Sequence, residues 1–407
     1  MTEQHPDAGG VLAGGPVRIP GEAVAMSGDD AEEDRPQGAA AVPGAGDDAW
    51  WIYRGTGVPS EEARPLAEVL PPPPPWRDFD GGPVISGPPP PDEAETRRRL
   101  GVPGDAHAPA AEEADMVNAA MFLRRPLLVT GPPGIGKSSL AYRISRELGL
   151  GKVLRWTITS RSTLTEGLYS YDAIGRVQDA AARGALRGLP GPDGRLPEAD
   201  GAGPEAADTD GTRSIGDFVQ LGPLGTALLP REAPRVLLID EFDKADTDLA
   251  NDLLGAFEDG EFRIPELARV RSRLPEAEVH TDDPEGTAVI RHGAVRCRAF
   301  PVVVITSNGE RSLPPPLLRR CLCLDMPPPD ERRLAAILAA QFGAGAGDER
   351  AAMIRDFLAR SRVTGTLAAD QLLNSEYLRT APTGPGQEAW DRLLHALWQR
   401  LDEVGPG

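Results

Sequence analysis

Eight consecutive residues, Gly131, Pro132, Pro133, Gly134, Ile135, Gly136, Lys137 and Ser138, followed by Ser139, join a glycine-rich turn to a cation and a hydroxyl. A polyanion held by a protein needs clustered donors, and glycines let consecutive backbone N–H groups turn inward ahead of a helix N-terminus. In such a loop Lys137 reaches the β- and γ-phosphates of a nucleotide, and the Ser138 hydroxyl ligates Mg²⁺. That lysine is one of only three in the chain, with Lys152 and Lys244. A plain glycine-rich turn would leave both the lysine and the serine unexplained.

About a hundred residues further on, the apolar run VLLI ends in Asp240 and Glu241. Phosphoryl transfer to water uses two carboxylates, and this pair supplies them: Asp240 for the Mg²⁺ shell and Glu241 to polarise the attacking water. A third run, Pro301 to Thr306, leads into Ser307 and Asn308, one of four asparagines in the chain. A neutral amide at a strand tip can contact both a water and the terminal phosphate without adding charge, which suits Asn308 as a sensor. In isolation a turn residue before Gly309 is nearly as good an account. Then comes LPPPLLRRC, with Arg319 and Arg320 ahead of the last strand. Arginines so placed cannot readily fold back to their own phosphate loop but can meet the nucleotide of an adjacent subunit, where such a finger is worth about 10³ to 10⁵ in rate. They imply a ring.

These groups need a scaffold that delivers them to one edge. Apolar runs at Arg125 to Thr130, Val153 to Ile158, Val236 to Ile239 and Val302 to Ile305, with an alternating one at Cys321 to Leu324, read as five strands. Helices between them imply a parallel sheet covered on both faces, an α/β core. Leu140, Ala141, Ile144 and Leu148 repeat at helical spacing after the phosphate loop until Gly149 and Gly151 end the helix. TAVIRHGAVRCRAF reads as a β-hairpin turning at His292 and Gly293, which could touch substrate. Gly184 to Gly211, rich in glycine, proline and acid, reads as a surface insertion. Beyond Met326 only helical stripes remain, among them Leu334, Ile337, Leu338 and Phe342, then Trp390, Leu394, Leu397 and Trp398. Their aromatics are expected in a core.

The chain has 407 residues, enough for two or three domains, and 40% hydrophobic residues can fill a core. Residues 1–91 are rich in Gly, Pro, Ala and acid, with little apolar periodicity, and read as a disordered tail. Two islands interrupt it, WWIY at Trp50 to Tyr53 and PPPPPW at Pro71 to Trp76, each open to reading as a docking segment or a stiff spacer. Residues 92–326 then form the nucleotide-binding domain and 327–407 a helical second domain. A net charge of -19 repels phosphate backbones, so nucleic acid is a poor candidate for the main partner. Cys297, Cys321 and Cys323 are too few and badly spaced for a disulfide framework or a four-ligand zinc site, and suggest a reducing compartment. Cys321 and Cys323 are expected as buried side chains on one face of a strand. The N-terminus lacks a basic start and an apolar segment, so a soluble, cytoplasmic protein without membrane contact is expected.

From Asp115 to Leu401 the chain resembles AAA+ ATPases, and within them the MoxR group of chaperone-like ATPases. The resemblance rests on the phosphate loop, on IDEFDKAD in place of the MoxR-like DEINRA, on FVQLGPLG at Phe218 to Gly225, and on TSNGERSLPPPLLRRC. It implies a P-loop AAA+ αβα core of five parallel strands, a C-terminal α-helical lid and a hexameric ring of identical subunits with ATP and Mg²⁺ between them. It further implies remodelling of a protein partner, one carrying a von Willebrand factor A domain. One departure stands out: where many AAA+ lids place an arginine on the γ-phosphate, TLAADQLLNSEYLR offers no clear equivalent, with Arg379 and Arg362 the nearest. That departure favours an alternative, a nucleotide-switched scaffold with slow or no hydrolysis.

Overall fold

The computed structural model describes residues 49–59, 64–87, 91–102, 111–187, 214–343, 347–364 and 367–398. Five strands form the central sheet: β1 (Leu127–Thr130), β2 (Leu154–Thr157), β3 (Val236–Asp240), β4 (Val302–Thr306) and β5 (Leu322–Asp325). Their order is β5-β1-β4-β3-β2, and every neighbouring pair is parallel. Continuous apolar runs suit this position because strands covered on both faces have no solvent side on which to place polar residues. β3 and β4 are buried at all five positions.

Alternate residues feed two apolar clusters. Leu128, Leu237, Ile239, Val303 and Ile305 pack with Leu249, Leu253 and Phe257 on one face. Leu127, Val129, Leu238, Val302 and Val304 pack with Leu140, Ile144, Val117 and Met121 on the other. This is the αβα layering of an AAA+ P-loop fold. The register aligns the strand ends, pairing Val129 with Thr306, Thr130 with Asp325 and Thr157 with Asp240. Everything that leaves β1, β3 and β4 therefore emerges at one edge.

A second, mixed sheet orders Tyr169–Tyr171, Val219–Leu221, Glu276–His280, Thr287–Arg291, Ala294–Arg296 and Glu261–Arg263. The last two strands of the expected hairpin, Thr287–Arg291 and Ala294–Arg296, are antiparallel and turn at His292 and Gly293, both at positive φ. The helix Ala173–Arg187 runs into the Gly184 to Gly211 insertion, of which 188–213 lie outside the described residues. C-terminal to β5 come helices Glu331–Phe342, Gly347–Thr364, Ala369–Thr380 and Gln387–Leu397 around a core of their own. Its aromatics are structural, with Phe357 and Trp398 edge-to-face at 5.5 Å. No helix among the described residues is long and apolar enough to cross a membrane.

Two expectations need correction. Residues 1–48 lie outside the described residues, but the tail does not extend to residue 91: the described residues from Trp50 onward belong to one compact unit. Tyr53 is fully buried, and its hydroxyl donates to Glu113 at 3.0 Å. Asn118 Oδ1 accepts from the amides of Ile52 and Tyr53, and Glu147 from those of Arg54 and Gly57. The WWIY island is a docking segment on its own chain. The polyproline run is anchored as well, Pro71 O accepting from Arg124 at 2.7 Å and Arg77 lying over the Phe300 ring at 5.5 Å. Polar anchors do here what apolar periodicity does in a helix. The second correction concerns Cys321 and Cys323. Cys321 is buried in the turn ahead of β5, whereas Cys323 is exposed, because β5 is an edge strand with an open face.

Candidate nucleotide site

The phosphate loop leaves β1 at Gly131 and delivers Lys137 and Ser138 to the start of helix Ser139–Leu148, which stops at Gly149 in the left-handed region. Gly134, at φ 75°, is the tightest point: a Cβ there would stand 2.2 Å from the Ala368 Cβ. Lys137 Nζ donates to Gly131 O, Pro132 O and Asn308 Oδ1, each at 2.7 Å. All three ammonium hydrogens thus bind oxygens at the rim where phosphate oxygens would compete for them. Burial lowers the Lys137 pKa, and the charges of Asp243, Asp240 and Glu241 oppose that shift.

Ser138 Oγ donates to Asp240 Oδ1 at 2.6 Å. The same oxygen accepts from Thr306 Oγ1 at 2.8 Å, and Oδ2 pairs with Arg155 at 2.9 Å. Burial pushes the Asp240 carboxyl up, but the hydrogen bonds from Ser138, Thr306 and Arg155 outweigh it and hold the pKa below its usual value. An ionised carboxylate beside a hydroxyl is an oxygen donor set that fits Mg²⁺, which takes its remaining ligands from water and phosphate. Ser138 and Asp240 are the residues that would hold it.

Glu241 adopts φ 62°, a region non-glycine residues rarely occupy. Its amide donates to Thr306 Oγ1 at 2.9 Å, while its carboxylate meets Lys244 at 2.8 Å. Adjacent strand residues face opposite ways, and this left-handed step turns the chain immediately after Asp240. Sequence reasoning overlooked Thr306, Arg155 and Lys244. A hydroxyl at the last position of a strand that ends in Ser307 and Asn308 was the available signal for the first.

Arg319 and Arg320 are not brought to this site by their own chain. They end the helix Pro315–Arg320, where Arg320 pairs with Glu258 and Arg319 is exposed. Arg125 fixes that helix end by donating to both of their carbonyls. The C-terminal helices do reach the phosphate loop, the Ala369 amide donating to Gly134 O at 3.0 Å. The residues shown to meet it are Ala368 and Ala369, and no arginine contacts the loop from these helices among the described residues. Arg379 is paired to Glu376 and Glu349 instead.

Residues 126–321 match the family model described as AAA domain (dynein-related subfamily). Similar solved structures include a point variant of RuvB from Thermotoga maritima, 16% identical, covering 70% of this chain and 67% of that chain at a TM-score of 0.33. Another is the Thermotoga maritima RuvB Holliday junction branch migration motor, 15% identical over 70% of this chain and 67% of that chain, at a TM-score of 0.32. No curated protein matches the chain.

Proposed function

We propose that this AAA domain hydrolyses ATP in an Mg²⁺-dependent reaction and works as a ring, with residues 92–326 as the nucleotide-binding domain and 327–407 as its lid. The observation that carries the reading is the hydrogen-bonded chain Ser138–Asp240–Thr306–Glu241 beside the Lys137–Asn308 pair, all at one sheet edge. Backbone amides of the loop and Lys137 would bind the phosphates. Mg²⁺, when bound, neutralises phosphate charge. Glu241 takes a proton from the attacking water, and Asn308 orients that water against the terminal phosphate. Arg319 and Arg320, remote from their own loop, supply the charge that an adjoining subunit's site lacks.

The MoxR-like segments extend this to a hexamer that remodels a protein partner, of the von Willebrand factor A class. A second reading, a nucleotide-switched scaffold with slow hydrolysis, is favoured by one observation: Ala368 and Ala369 stand on the phosphate loop where a lid cation would speed turnover. Replacing Glu241 by Gln separates the two. For the hydrolytic ring, Glu241→Gln lowers steady-state phosphate release at least a hundredfold while nucleotide affinity survives. For the scaffold, wild type and variant release phosphate at the same negligible rate.

A further inference from the structure

Asp243 lies two residues past Glu241, in the 3₁₀ turn Phe242–Lys244, and is 2% exposed. Its Oδ2 accepts from the amides of Asn308 and Glu310, both at 3.1 Å, across 65 and 67 residues of sequence. Its Oδ1 is buried with no hydrogen-bond partner among the described residues. Leaving a buried carboxylate oxygen unpaired costs roughly 1–3 kcal/mol, and packing alone gives no reason to keep it. Both side-chain hydrogen bonds of Asp243 go to the loop carrying the Asn308 amide. That loop continues to Lys137, whose ammonium holds Asn308 Oδ1 at 2.7 Å. A rigid path therefore runs from the turn behind the general base, through one carboxylate, to the sensor and the phosphate-loop lysine.

We infer that Asp243 is a positioning residue that clamps the Asn308–Glu310 loop to the Glu241 turn, so that the site distinguishes a nucleotide with a γ-phosphate from one without. This rests on the nucleotide-site reading above but not on turnover, because discrimination is a binding property. Holding the loop needs only an acceptor oxygen, which asparagine keeps and alanine loses. Discrimination should follow that division.

The test is a fluorescence titration of the full chain, with Mg²⁺, against ADP and against the β,γ-imido analogue of ATP. In Asp243→Ala, ADP affinity is expected within about twofold of wild type, while analogue affinity falls about tenfold and the preference collapses. Asp243→Asn is expected to keep most of it. Amide exchange at Asn308 and Glu310 should accelerate in the alanine variant alone. If that variant does not fold, Asp243→Ser, whose side chain is too short to span both amides, is read in the same way. An unchanged analogue-to-ADP ratio in a folded variant, or an equal loss of both affinities, overturns the proposal. Failure of the wild type to bind either nucleotide would instead remove the site reading beneath it.

Discussion

Thr306 shows how one hydroxyl ties a carboxylate to the turn that follows it: it donates to Asp240 and accepts from the Glu241 amide, so the proposed metal ligand and the proposed general base are held through one side chain. Lys137, Ser138, Asp240 and Glu241 were legible because their chemistry is written in adjacent residues. Thr306, Arg155 and Asp243 were not, since each acts through a bond to a residue 65 or more positions away that local spacing does not encode. The cysteines give a residue-scale prediction. Burial pushes the thiols of Cys297 and Cys321 up to about 12, while Cys323 is exposed. Only a thiolate alkylates readily. Iodoacetamide at mildly alkaline pH should therefore add one label to the native protein, at Cys323, and three after denaturation, by intact-mass spectrometry. A second label on folded protein would contradict this.

Among elements, the five strands and the helix behind the phosphate loop were readable because buried parallel strands carry continuous apolar runs and a helix ends where glycine permits a left-handed residue. The N-terminal strap was unreadable for the opposite reason. Residues 50–59 and 64–87 have no period, and side chains such as Asn118 and Glu147 hold the first of these segments by reaching its backbone. Contact between the C-terminal helices and the phosphate loop was equally hidden, being a meeting of small residues. It makes Gly134 doubly constrained, by its positive φ and by Ala368 against it. Gly134→Ala is expected to destabilise the protein by about 1–3 kcal/mol and to weaken ADP binding by displacing lid from loop. Chemical denaturation and titration check both. Unchanged values would mean that the lid is not seated on the loop in solution.

For the whole molecule, the arginine pair sets the terms. Arg320 rests on Glu258, away from the phosphate loop of its own chain, so a site that needs it must borrow it. Two variants that are each expected to be inactive probe this. Glu241→Gln subunits retain Arg320, and Arg320→Ala subunits retain Glu241. Mixed rings should regain hydrolysis, because some sites then combine both intact groups; no recovery, or full activity of Arg320→Ala alone, would contradict sharing between subunits. The net charge of -19 is a property of the whole chain that bears on partners and not on this chemistry. What most directly tests the central claim is a single turnover: enzyme in excess over ATP with Mg²⁺, quenched at intervals, in wild type and Glu241→Gln. The site described here should convert bound ATP to ADP and phosphate in the wild type and hold it intact in the variant. Bound ATP that persists equally in both would show a nucleotide switch and not a hydrolase.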